Sequence, residues 1–307
     1  MTQHQQNNLK RTAAIASVCT AILLILAKFY AFWKTDSLAI FSSFIDSITD
    51  LFASMVSFIA IYFSTKPASF SHRYGYGKAE ALSALLQAVF VGISGIFVIS
   101  DGIKRLINPI EITETNTGIA IMLFSILATL LLVLFQNYVA KKTNSLAVKS
   151  DSAHYVVDFL TNSAVIISLI LVRLFGFVYF DIIAALFISI YLLYNAYQLA
   201  HEAIDLITDK ELDISIRTQI ENIVKKNKNI KGMHDFRSRS LGDIYYFELH
   251  LELDGNIPLY QAHKLTDSVE KAILKLYPNS QIMIHQDPYG IKEDRLDHEL
   301  TGSCDLP

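Results

Sequence analysis

Two aspartates four residues apart, Asp46 and Asp50, interrupt the apolar stretch SSFIDSITDLFASMVSFIA over 42–60. A carboxylate near a bilayer centre costs about 2.5 to 3.5 kcal/mol on insertion scales, so two of them require partners. A second pair with the same spacing, His154 and Asp158, lies in DSAHYVVDFL over 151–160. Side chains at i and i+4 share one face of a helix, so each pair points two ligand-type groups in one direction. Three carboxylates and one imidazole suit a four-coordinate divalent ion, with Zn²⁺ held by His nitrogen and Asp oxygen at about 2.0 to 2.2 Å. Without an ion, three carboxylates packed together in low dielectric cannot all ionise. Metal binding at such a cluster therefore releases protons, which is the chemistry of metal/proton exchange. The plainer reading, that each polar residue only meets a Ser, Thr or Asn in a bundle, accounts for one such residue better than for two matched pairs.

The segments that must position these pairs are themselves apolar. Hydrophobic residues make up 52% of the 307-residue chain and charged residues 18%, a balance that places much of it in lipid. Six apolar runs, near 12–33, 38–64, 80–105, 117–140, 147–175 and 181–204, are long enough to span a hydrocarbon core, which takes about 20 helical residues. The first run reads as a retained helix rather than a signal peptide, and Lys28 near its far end is expected to snorkel to the interface. With the N-terminus inside, the inner flanks carry Lys10, Arg11, Lys66, Arg73, Lys78, Lys141, Lys142 and Lys149, and the outer flanks Lys34, Lys104, Arg105 and Arg173. Eight against four predicts both termini in the cytoplasm. At 1.5 Å per residue, Asp46 and Asp50 then lie roughly 12 and 18 Å deep from outside, and His154 and Asp158 roughly 10 and 16 Å deep from inside. The two pairs can meet.

After Asp205 the chain becomes charged and patterned like a water-soluble domain. ELDISIRTQIENIVKKN repeats apolar residues at helical spacing, and DIYYFELHLELD alternates at period two. PLYQAHKLTDSVEKAILKLYP opens with Pro258 and closes at Pro278, and SQIMIHQDP reads as a last strand. The expected architecture is a six-helix membrane bundle plus a small α+β domain in the order αββαβ. Its parts are an N-terminal segment 1–11, the bundle 12–208, the α+β domain 209–290 and a polar, disordered tail 291–307. His234, His250, His263 and His285 cluster in this domain, with Asp287 two residues beyond the last. Alternation puts His250 on the face opposite Phe247, Leu249, Leu251 and Leu253, and puts His285 and Asp287 on a common face. Clustered imidazoles with a carboxylate suit a binuclear zinc site. Cys19 and Cys304 make neither a disulfide framework nor a C-x-x-C site, and no basic block points to nucleic acid.

SFIDSITDLFASM and SDSAHYVVDFLTNSAV, together with GKAE and HQDP, resemble the cation diffusion facilitators, in particular their bacterial zinc/ferrous-iron efflux branch. The resemblance runs from about 10 to 290. It implies a homodimeric divalent-metal/proton antiporter of the bacterial inner membrane that exports metal from the cytoplasm. Its transport ligands would be Asp46, Asp50, His154 and Asp158, with His154 and Asp50 coupling protons. It also implies cytoplasmic zinc sites at His234, His250, His263, His285 and Asp287, with a contribution from Gln286, and a structural charge pair between Lys78 and Asp209. In the loop KPASFSHRYGYGKAEAL, Ser69 and Tyr76 replace an Asp and a His of the family pattern, leaving His72 as a weak loop-site candidate.

No enzymatic activity and no catalytic cofactor are expected; Zn²⁺ enters as substrate and as structural or regulatory ion. Four ligands would fill the shell that a catalytic zinc keeps open, and no H-E-x-x-H occurs. A membrane sensor that binds metal without moving it is the other alternative. Zinc fits the N/O donor set, which Fe²⁺, Cd²⁺, Co²⁺ and Mn²⁺ also accept.

Overall fold

The computed structural model describes residues 3–35, 38–107, 116–175, 180–242, 244–291 and 295. The expected disordered tail lies almost wholly outside them. Two compact units divide the chain, Met1–Ile207 and Thr208–Pro307.

Six long helices make the first unit: α1 (Gln3–Thr35), α2 (Leu38–Ser64), α3 (Lys78–Ile107), α4 (Asn116–Thr143), α5 (Leu146–Phe175) and α6 (Phe180–Ile207). Each overlies one of the apolar runs. Helix α1 extends back to Gln3 because QHQQNNLKR contains no Pro or Gly to stop it. Among the described residues, four helices, α1 to α4, are long and apolar enough to cross a membrane. Small residues set the helix spacing. Ala13, Ala14, Ile61, Val139, Ala147 and Val148 join α1, α2, α4 and α5, and Ala84, Ala88, Leu199 and Ala203 join α3 to α6. A Cβ on Gly95 would stand 3.2 Å from the Leu193 side chain. Close backbone approach of this kind holds helices together where lipid removes the hydrophobic drive.

The second unit runs α7 (Ile214–Lys225), β1 (Ile230–Leu241), β2 (Ile244–Leu253), α8 (Leu259–Leu276) and β3 (Ser280–Pro288). Asp213 caps α7, its carboxylate accepting the Ser215 backbone N–H at 2.8 Å. The sheet order is β1-β2-β3, with β1 antiparallel and β3 parallel to the central β2. Phe247, Leu249 and Leu251 from β2 pack with Ile220, Val224, Val269 and Ile273 from the two helices, so one sheet face is the core. The other face carries the histidines. A bulge lies between His234 and Arg237, with Asp235 in the left-handed region at φ 49°.

Candidate metal sites

The first site forms between α2 and α5. His154 Nε2 lies 3.1 Å from Asp50 Oδ1, their side chains only 9% and 12% exposed. Ligand atoms of Asp50, His154 and Asp158 all lie within 4.8 Å of one another. The i, i+4 geometry accounts for this, because His154 and Asp158 stack on the α5 face that meets α2. Asp46, one turn before Asp50, has an exposed side chain and stands outside this three-residue cluster.

Lys28 departs from expectation. It does not snorkel: it is buried, 6% exposed, and its Nζ donates to Ser47 Oγ on α2 at 2.7 Å. Burial of the ammonium is tolerated because one of its protons meets Ser47 Oγ and carboxylates stand on the same stretch of α2.

Further buried polar groups escaped the sequence reading because each looked ordinary by itself. Asp151 shares the α5 face of His154, and its Oδ2 accepts from Gln136 Nε2 on α4 at 2.6 Å. Tyr155 OH lies 2.8 Å from Ser54 Oγ, which accepts from Ser17 at 2.8 Å, linking α5, α2 and α1. Glu80, of the GKAE motif, is buried and receives Lys10 Nζ at 3.1 Å, Ser64 Oγ at 2.9 Å and Ser145 Oγ at 2.6 Å. Lys10 had been assigned only to an inner flank. The spacing 151, 154, 155, 158 was the available signal, since it is one helical face made of polar groups.

In the loop after α2, the His72 ring stacks on the half-buried Tyr76 at 4.5 Å and Ser69 Oγ lies 3.1 Å from Tyr76 OH, with Ser69 and His72 exposed. The two substituted positions thus contact each other or His72. Among the described residues no metal-type cluster includes His72. Gly75, at φ 84°, makes the turn toward α3. Lys78 Nζ donates to the Ile207 carbonyl at the end of α6 at 3.0 Å, and Asp209 accepts from Arg239 at 3.2 Å.

The second site spans three strands. His234 pairs in register with His250, and His250 with His285. Their ring centroids are 5.1 and 4.7 Å apart. Asp287 is buried beneath them: its carboxylate lies 2.8 Å from His250 Nδ1, 3.1 Å from His285 Nε2 and 3.5 Å from His234 Nε2. One carboxylate touching three imidazoles has the arrangement of a bridging ligand. Glu252, beside Asp287 in register, lies 3.3 Å from His234 Nδ1 and also receives Arg295. Asp235 joins His234 and His250 within 4.8 Å, because the bulge turns it to a side that strict period-two alternation would deny it. Glu252 was legible by alternation with His250; Asp235 was not. His234 is the fifth residue of β1. His263, the fifth residue of α8, is exposed and outside the clusters of described residues. Gln286 pairs with the core residue Leu251, on the alternate register from Asp287.

A helical bundle with carboxylates and a histidine facing inward, followed by a small metal-ligand-rich sheet domain, describes a membrane cation carrier. Residues 14–208 match the cation efflux transmembrane domain and residues 212–289 the cytoplasmic domain of cation efflux proteins; the chain belongs to the cation efflux family and is an integral membrane protein. It is 39% identical over 279 residues to the cation-efflux pump FieF of Citrobacter koseri, covering 91% of this chain and 93% of that one. The FieF pump of Escherichia coli strain K12 is 38% identical over the same coverage. Among solved structures, the zinc form of a putative zinc transporter, CzrB, is 28% identical, covering 28% of this chain and 99% of that one with a TM-score of 0.25.

Proposed function

We propose that this protein is a homodimeric divalent-cation/proton antiporter that exports Zn²⁺, with Fe²⁺ and Cd²⁺ as further substrates, from the cytoplasm across the inner membrane. In this reading all six helices span, and both termini face the cytoplasm. The observation that carries it is the buried contact of His154 with Asp50, with Asp158 beside them. A metal ion entering between α2 and α5 is held by Asp50, His154 and Asp158, and Asp46, one turn away on the same face of α2, completes the shell when α2 shifts against α5. Protons then compete for the same oxygens and ring nitrogen, so inward proton flow expels the ion on the far side. His154 is the proton-coupling group of choice, since an imidazole changes charge nearest to working pH.

The sheet cluster of His234, His250, His285 and Asp287, with His263 as a further candidate ligand, binds metal that stabilises or regulates rather than flows. The His72 loop does not carry flux.

The test is Zn²⁺ flux in proteoliposomes under an imposed pH gradient, for wild type and Asp50→Ala. Gradient-driven flux that disappears in the variant supports the reading. Saturable binding without flux in either supports a sensor instead. Flux that survives in Asp50→Ala removes the site.

A further inference from the structure

Lys28 lies in AILLILAKFYAFW over 21–33, and its side chain turns away from lipid into the bundle. The residue it bonds, Ser47, lies on α2 between Asp46 and Asp50. The ammonium is therefore brought to the level of α2 at which the proposed ligands stand. Ser47 directly follows Asp46 and stands three residues before Asp50 in the chain, and Asp50 is engaged by His154. A protonated amine has no lone pair to offer a metal, so it acts on an ion only through charge.

We propose that Lys28 is the fixed counter-charge of the transport site and determines that the site accepts, and releases, a doubly charged ion. The inference rests on the transport reading above, with Asp46, Asp50, His154 and Asp158 as the ligands. Among the four ligands and Lys28, three carboxylates contribute three negative charges and the ammonium one positive charge, so a divalent ion beside a neutral His154 balances that set. With Lys28 neutralised, the same carboxylates hold a divalent ion with one negative charge in excess. Inside a bundle that excess is poorly screened. The ion would bind more tightly and leave more slowly, and a triply charged ion would match the site better than before.

The experiment compares wild type with Lys28→Gln, which keeps a donor for Ser47 without the charge, and Lys28→Arg, which keeps the charge. Zn²⁺ flux by the full-length protein in proteoliposomes is measured against Zn²⁺ concentration, with La³⁺ as competitor. Lys28→Gln is expected to lower KM for Zn²⁺ about tenfold, a change equivalent to about 1.4 kcal/mol, and to lower kcat as release slows. The La³⁺ concentration that halves flux should fall further than KM does, because a trivalent ion gains more from the lost positive charge. Lys28→Arg should stay within about twofold of wild type on both measures, the spread expected of a charge-conserving change with altered hydrogen bonding. The proposal is overturned if Lys28→Gln leaves KM and the La³⁺ ratio unmoved, or if Lys28→Arg behaves like Lys28→Gln. Should Lys28→Gln not assemble, Lys28→Met provides the same neutralisation in a shape suited to an apolar bundle. If wild type shows no gradient-driven flux, it is the transport reading that has failed. Equilibrium Zn²⁺ binding, taken as the component lost in Asp50→Ala, then decides on Lys28 by the same shift in affinity.

Discussion

In the membrane unit, histidine and carboxylate meet between two helices, His154 on α5 and Asp50 on α2, at 3.1 Å. In the C-terminal unit, His234, His250 and His285 stand side by side on three hydrogen-bonded strands above Asp287. The donor chemistry is nearly the same, but the supports differ. A sheet ladder holds its neighbours at about 4.8 Å through backbone hydrogen bonds, so the imidazole spacing cannot change without breaking the ladder. Two helices packed through small side chains can tilt or slide while every backbone hydrogen bond stays intact. A cluster split between such helices can be assembled and dismantled in each cycle, whereas one printed on a sheet stays assembled. In the proposed reading, that contrast is why flux belongs to the first and a standing structural or regulatory role to the second.

The largest effect should come from Asp50→Asn, which keeps the size of the side chain and removes its charge. Zn²⁺ flux in proteoliposomes should fall to background while the melting temperature of the detergent-purified protein stays near wild type. A large loss of stability instead would make the helix cluster a structural element like the sheet one.

Next comes Glu80→Gln, a buried carboxylate of the membrane unit outside the cluster. It leaves Lys10 buried beside a neutral amide, and breaking such a pair should cost about 3 kcal/mol of stability. Flux per folded molecule should change less than in Asp50→Asn, a separation read by thermal unfolding alongside transport.

Asp287→Asn removes the carboxylate shared by three imidazoles. Metal retained after purification, measured by elemental analysis, should drop by at least one ion per chain of the bound complement, with about 2 kcal/mol of destabilisation. Flux should persist. If flux vanished while the dimer remained intact, the division of labour between the two sites would collapse.

The smallest effect isolates the sheet domain from either site. Hydrogen bonds from Ser215, through its side chain and then its backbone N–H, hold the Asp213 carboxyl below the usual carboxylate range. A group depressed in the folded state contributes stability above its unfolded value, near 3.9, and loses it as pH falls through the lower folded value. Asp213→Ala should therefore melt slightly earlier than wild type at pH 7, and the difference should shrink once the pH falls well below the unfolded value. Far-UV circular dichroism melts at the two pH values check it.

Much of this was readable from the chain. Apolar runs predicted where the six long helices lie, since only long apolar segments can close their backbone hydrogen bonds within lipid. The i, i+4 spacing put His154 with Asp158, because helical periodicity is local, whereas Asp46, at the same spacing from Asp50, stands outside their cluster. Alternation in FELHLEL separated Phe247, Leu249 and Leu251, now buried, from His250, for the same reason in a strand.

Long-range choices were not readable. Lys28 at the end of an apolar run looks the same in sequence whether it stretches toward water or turns to Ser47, and only the packing of α1 on α2 decided. Glu80 looked like part of a motif until Lys10, Ser64 and Ser145, from three other parts of the chain, converged on it. Asp235 depended on a bulge, a one-residue irregularity with no periodicity to betray it. The sequence by itself determined which residues could bind a cation and which segments would carry them, because spacing along one element is a local property. The tertiary structure alone decided which of them meet and what charge stands beside them, because those distances arise between elements remote in the chain.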